Sequence, residues 1–503
     1  MFNDFKAEPN RPLYLQLKDY LKDAVLRGVW PAGSRLPATR ELGTILGVSR
    51  NTVVLAYQYL EDDGFIYMVK GQGAFVASIA MDREAANGLR LDWTDRVNDH
   101  TLQATELDIE KKELRWEKGM ISFKSIAPDP GLFEVEEFKK AFLNRFALEG
   151  AKLLNYGYAR GYRNLVQYLT GYMKNKGVDP SGKDILITNG FTEGLHLVLT
   201  AITRPGDEIV SENPTHNTAI KMMKLAGLRI HGVPVREDGP DLMELERIVG
   251  SEPVKCGFLI PSYHNPTGLV ISAEQRRKIF AIFERYRVPI IEDGFNEELR
   301  YSGTHLPPLM ALAGAGNNVI YIGSFSKILF PGLRIGWIMG DRQLISYLES
   351  IKRSRNIHTS FLDQAVLYEY LQSGSFERYL KKARKVYKER HRDALAMANR
   401  YIPARRIWGE GGLHILVELD PRLNAREILA GCYQRGVVFM PGDIFYTDGS
   451  GQNTFRLGIS RVTPEEMEQG FRIIGEVIAN QCTMNNVQLT INNGQWTKEE
   501  TST

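Results

Sequence analysis

Residues 323–337 read GSFSKILFPGLRIGW, with one lysine, Lys327, among apolar side chains and hydroxyls. The apolar, β-branched run just before it predicts a short buried strand. A lysine amine with the ordinary pKa of about 10.4 is a poor nucleophile at neutral pH, but apolar surroundings and nearby cations lower that pKa. The stretch therefore predicts either a reactive amine at the end of a strand or a surface lysine that keeps its charge in water. Other segments of the chain decide between the two.

Donors for a phosphate group surround this lysine in the sequence. Ser324, Ser326 and Arg334 offer hydroxyl and guanidinium groups, which suit the dianionic phosphate of pyridoxal phosphate, and this cofactor also carries an aldehyde for Lys327. Upstream, residues 188–194 (TNGFTEG) follow a predicted strand and open a predicted helix. Backbone N–H groups at such a turn form a phosphate site.

Two further turns offer polar groups for the cofactor ring. Asn265 lies in the turn PSYHNPTG, residues 261–268, where its amide can bond a ring hydroxyl. Asp293 follows the apolar residues Ile290 and Ile291, at the strand end where open α/β sheets bind ligands. A carboxylate there keeps a pyridine nitrogen protonated, unless it only caps a helix.

The region from residue 119 to 480 alternates short apolar runs with longer helical patterns, and this alternation predicts an α/β domain around a largely parallel sheet. The strand candidates are residues 184–188, 208–211, 256–261, 289–292 and 319–323.

Residues 11–77 predict a winged helix-turn-helix. Apolar side chains at helical spacing indicate a helix that ends near Gly28, a second over residues 39–46 and a third that Ser49 caps; two short strands with a glycine-containing tip follow. A recognition helix places its N-terminal side chains toward base edges, and other residues reach the backbone or minor groove. The DNA-binding candidates are Arg35, Thr39, Arg40, Ser49, Arg50, Asn51, Thr52, Gly71 and Gly73.

Length and composition limit the number of domains and the classes of protein to which the chain can belong. The 503 residues require at least two domains, and a net charge of +3 indicates no partner by itself. We expect no membrane span, no secretory signal, no metal site at the three scattered cysteines, and a cytoplasmic protein, bound to the nucleoid when on DNA. Residues 78–118 are polar and predict a linker that can be partly helical. Residues 481–503 predict a disordered polar tail.

The segment LPATRELGTILGVSRNTVVLAYQYLEDDGFIYMVKGQGAFV closely resembles the winged helix of GntR-type bacterial transcription regulators. The resemblance covers about 65 residues and includes the turn and recognition helix GVSRNTV and the wing GQGAFV. It implies binding to double-stranded DNA.

The motifs between residues 119 and 480 together resemble fold type I aminotransferases, which use pyridoxal 5'-phosphate. The resemblance implies that Lys327 bonds the cofactor aldehyde, that Arg456 binds the α-carboxylate of an amino acid, and that Tyr156 reaches the phosphate in a neighbouring subunit of a homodimer. The implied cofactor-binding residues are Tyr156, Phe191, Thr192, His216, Asn265, Asp293, Phe295, Ser324, Ser326, Lys327 and Arg334.

The chain departs from the family pattern at two positions. His216 stands where the family often has an aromatic residue stacked on the cofactor ring. Near the position of Phe295, related regulators and many aminotransferases have a tyrosine whose hydroxyl touches the ring oxygen of the cofactor. If the alignment is shifted by one residue, Asn296 is the relevant neighbour. Phe295 lacks a hydroxyl, which leaves full transamination open.

A GntR-like winged helix joined to an aminotransferase-like domain resembles the MocR type of regulator. The resemblance implies a transcription regulator that responds to pyridoxal phosphate and an amino acid or amine, and a head-to-tail, domain-swapped homodimer on two DNA half-sites. An active aminotransferase with an accessory DNA-binding domain is the alternative. A DNA-binding protein with an empty large domain is a third reading.

Overall fold

The computed structural model describes residues 5, 7–78, 90–484, 490–492 and 495–497. The chain forms two compact units, Met1–Val97 and Asn98–Thr503. Within the described residues, no helix is both long enough and apolar enough to span a membrane.

The smaller unit has the predicted three helices and a hairpin. Its elements are α1 (Leu13–Leu26), α2 (Thr39–Leu46), α3 (Arg50–Asp62), β1 (Ile66–Val69) and β2 (Gly73–Val76), with β1 and β2 antiparallel. Ser49 caps α3, because its Oγ accepts the Thr52 N–H at 3.1 Å. The turn before α3 is tight: a Cβ on Gly43 would lie 3.0 Å from the Val48 carbonyl oxygen, so glycine lets α2 approach it. Leu17, Leu42, Val53 and other apolar side chains form the core.

The larger unit is an α/β fold, as predicted. Its helices are α4 (Asp99–Glu106), α5 (Ile109–Lys112), α6 (Val135–Glu149), α7 (Arg163–Asn175), α8 (Gly190–Ile202), α9 (Asn217–Leu225), α10 (Leu242–Ser251), α11 (Ala273–Arg285), α12 (Leu309–Leu312), α13 (Arg342–Asn356), α14 (Phe361–Gln372), α15 (Ser375–Tyr401), α16 (Ala425–Gln434) and α17 (Pro464–Met484). Its strands are β3 (Ile121–Ser122), β4 (Lys183–Thr188), β5 (Glu208–Asn213), β6 (Arg229–Arg236), β7 (Gly239–Pro240), β8 (Val254–Leu259), β9 (Ile290–Asp293), β10 (Val319–Ser324), β11 (Gly336–Asp341), β12 (Arg406–Trp408), β13 (His414–Glu418), β14 (Val437–Val438), β15 (Met440–Pro441), β16 (Thr454–Gly458), β17 (Thr490–Asn492) and β18 (Gln495–Thr497).

The main sheet has eight strands in the order β4-β11-β10-β9-β8-β5-β6-β7. Strands β10, β9, β8, β5 and β6 pair in parallel, and β11 runs antiparallel between β10 and β4. All five strand predictions fall on this sheet. The carboxyl ends of β4, β9 and β10 therefore meet at one edge, where Ser324 and Thr188 both pair with Gly336.

A second layer follows in the last third of the chain. Strands β12, β13, β16 and β15 form an antiparallel sheet, and β14 pairs in parallel with β3. Helices α16 and α17 supply apolar side chains to a core on this sheet. All three cysteines are buried and unpaired, and burial raises the pKa of Cys256 and Cys432 to about 12.

The predicted linker and tail differ in how far they are described. Residues 79–89 lie outside the described residues, whereas α4 and α5 belong to the larger unit, and α4 contacts α9. In the predicted tail, α17 continues to Met484 and β17 pairs with β18. The other tail residues lie outside the described ones. The limits of the domains stay predictions.

Candidate functional site

A cavity of about 190 Å³ lies at the sheet edge where β4, β9 and β10 end. Most of the predicted cofactor residues line it, namely Phe191, Thr192, His216, Asp293, Phe295, Ser324, Ser326, Lys327 and Arg334. They come from five separate segments of the chain. Because the sheet brings the segments together at one edge, residues more than 100 positions apart in sequence surround one small space.

One wall of this cavity carries the predicted phosphate donors. Arg334 has a positive φ of 52°, and its Nη2 donates to the Asn189 carbonyl oxygen at 3.0 Å. A Cβ on Gly190 would lie 3.1 Å from that Nη2, so the glycine at the start of α8 leaves room for the guanidinium. The first N–H groups of α8 and the hydroxyls of Ser324 and Ser326 join the cation on this wall.

The lining of this cavity also includes a buried carboxylate. Asp293 ends β9, and its Oδ2 lies 3.7 Å from His216 Nδ1, with neither atom in a hydrogen bond among the described residues. Burial raises the pKa of Asp293, and His216 acts in the opposite direction. A cationic N–H donor placed there would favour the ionised form of the carboxyl group. The site is therefore suited to a protonated ring nitrogen.

Lys327 lines this cavity and also a neighbouring one of about 810 Å³. Burial lowers the pKa of its amine to about 8, and the charges of Arg456, Arg461 and Arg334 act in the same direction. Lys327 thus borders both the cavity that Arg334 and the serine hydroxyls line and a second space large enough for an amino acid.

Asn265 and Arg456 lie in the larger cavity. The Asn265 Oδ1 accepts from Arg456 Nη1 at 2.8 Å, while the Asn265 Nδ2 is buried without a hydrogen bond in the described structure. Burial lowers the pKa of Arg456 to about 9. A carboxylate would pair with this buried guanidinium and stabilise its charged form by charge-assisted hydrogen bonds.

Phe295 and Asn296 both line the smaller cavity. Phe295 is buried, with its ring 6.3 Å from the His216 ring, and it offers no hydroxyl. Asn296 is 2% exposed, has a φ of 56°, and neither of its side-chain polar atoms has a hydrogen-bond partner in the described structure. The amide therefore supplies the polar group next to Phe295.

Tyr156 lies apart from the other predicted cofactor residues. It is 80% exposed and lines neither cavity. The structure of one chain thus leaves its side chain on the surface.

The chemistry of the lining residues fits pyridoxal phosphate. Arg334 and the hydroxyls suit a phosphate, and Asp293 offers an unpaired carboxylate oxygen. From the neighbouring cavity, Asn265 offers an unpaired amide N–H. Lys327 lines both cavities and has a lowered pKa. The ring of the cofactor would thus give partners to two buried polar atoms, Asp293 Oδ2 and Asn265 Nδ2, that have none among the described residues.

The sequence did not indicate several residues of the two cavities. Thr218 lines both, and Arg115, Trp116 and Lys124 line the larger one. Thr218 lies two residues after His216, so its closeness in sequence to a predicted cofactor residue was the available signal. Arg115 and Trp116 carried no signal, because their segment has no apolar periodicity.

We expect the rate of cofactor capture by Lys327 to rise with pH up to about 8 and then to level off. Only the neutral amine attacks an aldehyde, and its fraction increases about tenfold per pH unit below the pKa. Stopped-flow absorbance of the apoprotein mixed with pyridoxal phosphate, from pH 6 to 10, measures this rate. The same reaction of free Nα-acetyl-lysine, divided by its fraction of neutral amine at each pH, corrects for titration of the cofactor. A corrected rate that still climbs between pH 9 and 10 would contradict the lowered pKa.

The DNA-binding candidates lie on one unit. Arg35, Arg40, Ser49, Arg50, Asn51 and Gly71 are exposed, whereas Thr39, Thr52 and Gly73 are half-buried. Arg50 and Asn51 start α3 with their side chains toward solvent. A Cβ on Gly73 would lie 3.3 Å from Arg35 Nε, so Arg35 lies against the wing. Cationic and amide groups thus occur at the start of α3 and beside the hairpin.

Fold and site together define a DNA-binding helix-turn-helix unit joined to a unit with an aminotransferase fold. Residues 125–474 match the family described as aminotransferase class I and II, and residues 13–76 match bacterial regulatory proteins of the gntR family.

Two relatives named as regulators align with this chain over most of its length. An uncharacterized HTH-type transcriptional regulator of Bacillus subtilis (strain 168), YisV, is 30% identical over 92% of this chain and 96% of its own. The Rhizobium meliloti protein named "Probable rhizopine catabolism regulatory protein MocR" is 26% identical over 91% of this chain and 92% of its own. The crystal structure of LysN, an alpha-aminoadipate aminotransferase from Thermus thermophilus complexed with N-(5'-phosphopyridoxyl)-L-leucine, is 30% identical. It matches with a TM-score of 0.72 over 78% of this chain and 100% of its own.

The chain belongs to the MocR-type transcriptional regulators, in which a GntR-family helix-turn-helix domain precedes an aminotransferase class I and II domain.

Proposed function

We propose that this regulator binds pyridoxal 5'-phosphate and an amino acid or amine in its larger domain, and that their binding changes its hold on DNA. The observation that carries the proposal is the position of Lys327, whose amine lines both the phosphate-binding cavity and the cavity of Arg456. A single amine thus touches the space for a cofactor and the space for an effector.

In this proposal, each residue of the site binds a different part of the cofactor or the effector. When bound, pyridoxal phosphate supplies an aldehyde and a ring that withdraws electrons. Lys327 would hold the aldehyde carbon, Arg334, Ser324, Ser326 and Thr192 the phosphate, and Asp293 and Asn265 the ring. Arg456 would bind the carboxylate of the effector, whose amine takes the place of Lys327.

A homodimer is part of the proposal. Exposed apolar side chains lie in the last turn of α6 and in the segment after it, with Leu148 at 71%, Leu154 at 69%, Tyr156 at 80% and Tyr158 at 68% exposed. Apolar surface of this extent is typical of an interface. We propose that a second copy of the chain covers it, in a domain-swapped dimer, and that Tyr156 reaches the phosphate in the partner. The dimer would hold two DNA half-sites.

The alternative function, transamination, has support in the same site. Asp293, Lys327 and Arg456 form a complete set for amino-acid chemistry, and a lysine with a pKa near 8 can carry a proton. Phe295, which lacks a hydroxyl, favours binding without turnover.

The test is DNA affinity measured with and without the small molecules. Full-length protein would first select its preferred duplex from random-sequence DNA. Fluorescence anisotropy would then give the Kd with no ligand, with pyridoxal phosphate, and with the cofactor plus each of a panel of amino acids and amines. We expect one addition to change Kd about 5- to 150-fold, because a ligand shifts a DNA-binding equilibrium by its differential affinity for two states.

Two outcomes contradict the proposal. If the Kd for DNA stays the same with every added ligand, the proposed regulation by these ligands is wrong. Release of keto acid over many turnovers, with the cofactor converted to its amine form, would identify the chain as a working aminotransferase instead.

A further inference from the structure

We propose that the effector carries a second acidic group besides the carboxylate that Arg456 binds, and that Lys124 and Arg115 hold this second group. The inference rests on the proposed function of the same site and names the chemical class of its ligand. It follows from the charges that line the 810 Å³ cavity.

The lining of this cavity is strongly cationic. Lys124, Arg115, Lys327 and Arg456 all contribute to it. Glu113 is the one acidic residue among the described lining residues, and it is 7% exposed. Its Oε1 already accepts from Arg426 Nη1 at 3.0 Å, so it does not neutralise the other cations.

Lys124 has no carboxylate within ion-pair distance in the described part of the chain, although it is half-buried. Its ammonium donates to the Leu114 carbonyl oxygen at 3.2 Å. The Lys124 carbonyl oxygen accepts from Arg456 Nη2 at 3.2 Å. The backbone of Lys124 is thus tied to the proposed carboxylate clamp, and its side chain offers a further cation in the same space.

Arg115 lines the same cavity and follows Leu114, whose carbonyl oxygen accepts from the Lys124 ammonium. It is exposed and forms no ion pair with the described residues. Glu113, two residues earlier, fixes this segment through Arg426, and Trp116 Nε1 donates to the Met120 carbonyl oxygen at 2.8 Å. Arg115 therefore stands on an anchored stretch at the mouth of the cavity.

This pattern selects for an amino acid with two acidic groups. Once one carboxylate occupies Arg456, the cations of Lys124 and Arg115 remain without a counter-charge in a partly enclosed space. A second anion removes their repulsion and forms charge-assisted hydrogen bonds. A neutral side chain leaves both cations unpaired, and a cationic side chain is repelled.

The experiment compares L-glutamate with L-glutamine, which has the same shape without the charge. Spectral titration and calorimetry of the full-length protein loaded with pyridoxal phosphate give both Kd values. We expect glutamate to bind about tenfold tighter or more, as a charged hydrogen bond contributes about 1.4 kcal/mol or more. Lys124→Met and Arg115→Met should each raise the Kd for glutamate about tenfold and the Kd for glutamine less than about twofold. Lys118→Met, at an exposed position outside the cavity, is the matched control and should change neither Kd.

Different failures have different meanings. Equal affinity for the two amino acids, or a parallel loss of both in the variants, overturns the inference and leaves the proposed function standing. If the protein binds neither the cofactor nor an amino acid, the inference and the proposed function both fail. Because Arg115 is exposed, its variant should keep the melting temperature of the native protein and thus tests the inference even if Lys124→Met folds poorly.

Discussion

Replacing Lys327 with alanine is expected to abolish the borohydride-reducible attachment of pyridoxal phosphate to this protein. Among the described residues, Lys327 is the one lysine that lines the 190 Å³ cavity. Its lowered pKa, about 8, makes its amine a better nucleophile at neutral pH than an ordinary lysine. Reduction of the cofactor-loaded protein, proteolysis and mass spectrometry would locate the pyridoxyl group, which we expect on Lys327 in about one copy per chain.

The control for this substitution is Lys118→Ala, which removes an exposed lysine and should keep full attachment. Weak, non-covalent cofactor binding is expected to survive in the Lys327 variant, because Arg334 and the hydroxyls remain. A pyridoxyl group on another lysine of the native protein, in place of Lys327, would refute the assignment.

Arg50→Ala is expected to weaken binding to the selected duplex by about 1 to 3 kcal/mol, or about 5- to 150-fold in Kd. Arg50 is the first residue of α3 and is exposed, and a guanidinium at this point of a recognition helix pairs with guanine O6 and N7. Affinity for unrelated DNA should fall much less, because the loss concerns a base contact. Anisotropy titrations with both duplexes at one salt concentration measure the difference.

Arg27→Ala is the charge-matched control for this experiment. Arg27 follows α1, is exposed, and pairs with Asp23 at 2.8 Å. It should affect specific binding by less than about twofold. If Arg50→Ala weakens the selected and unrelated duplexes equally, Arg50 contacts phosphate and not a base.

Much of the fold could be predicted from local signals. The Ser49 cap, the glycine after α2 and the apolar spacing of Val53, Ala56 and Leu60 determined α3 before any tertiary contact was known. The parallel strands appeared as short apolar runs because both faces of the sheet are covered.

Helix α4 shows where local signals ended. It buries none of its side chains, so it has no apolar stripe for a periodicity to reveal. The Asn98 side chain caps it by accepting the Thr101 N–H at 2.9 Å. The direction of β11 was equally hidden, since whether a strand joins a sheet in parallel or antiparallel depends on the path of the connection.

The residues of the candidate site also differ in whether the sequence alone could indicate them. Asp293 ends a strand, and Asn265 and Lys327 come after one, so the sequence could predict that they lie at the edge of the sheet where ligands bind. Lys124, Arg115 and Asn296 matter because of which groups lie near them and which charges stay unpaired. Such relations exist only after folding.

The three buried cysteines have a practical consequence for studying this regulator. Thiol reagents attack the thiolate, and burial both hides these thiols and keeps them protonated, with the pKa of Cys256 and Cys432 at about 12 and that of Cys482 raised. A single cysteine introduced at the exposed Gln72, at the tip of the wing hairpin, would therefore accept a maleimide fluorophore in the otherwise native chain. The labelled protein would then report DNA binding at the wing without prior removal of its own thiols.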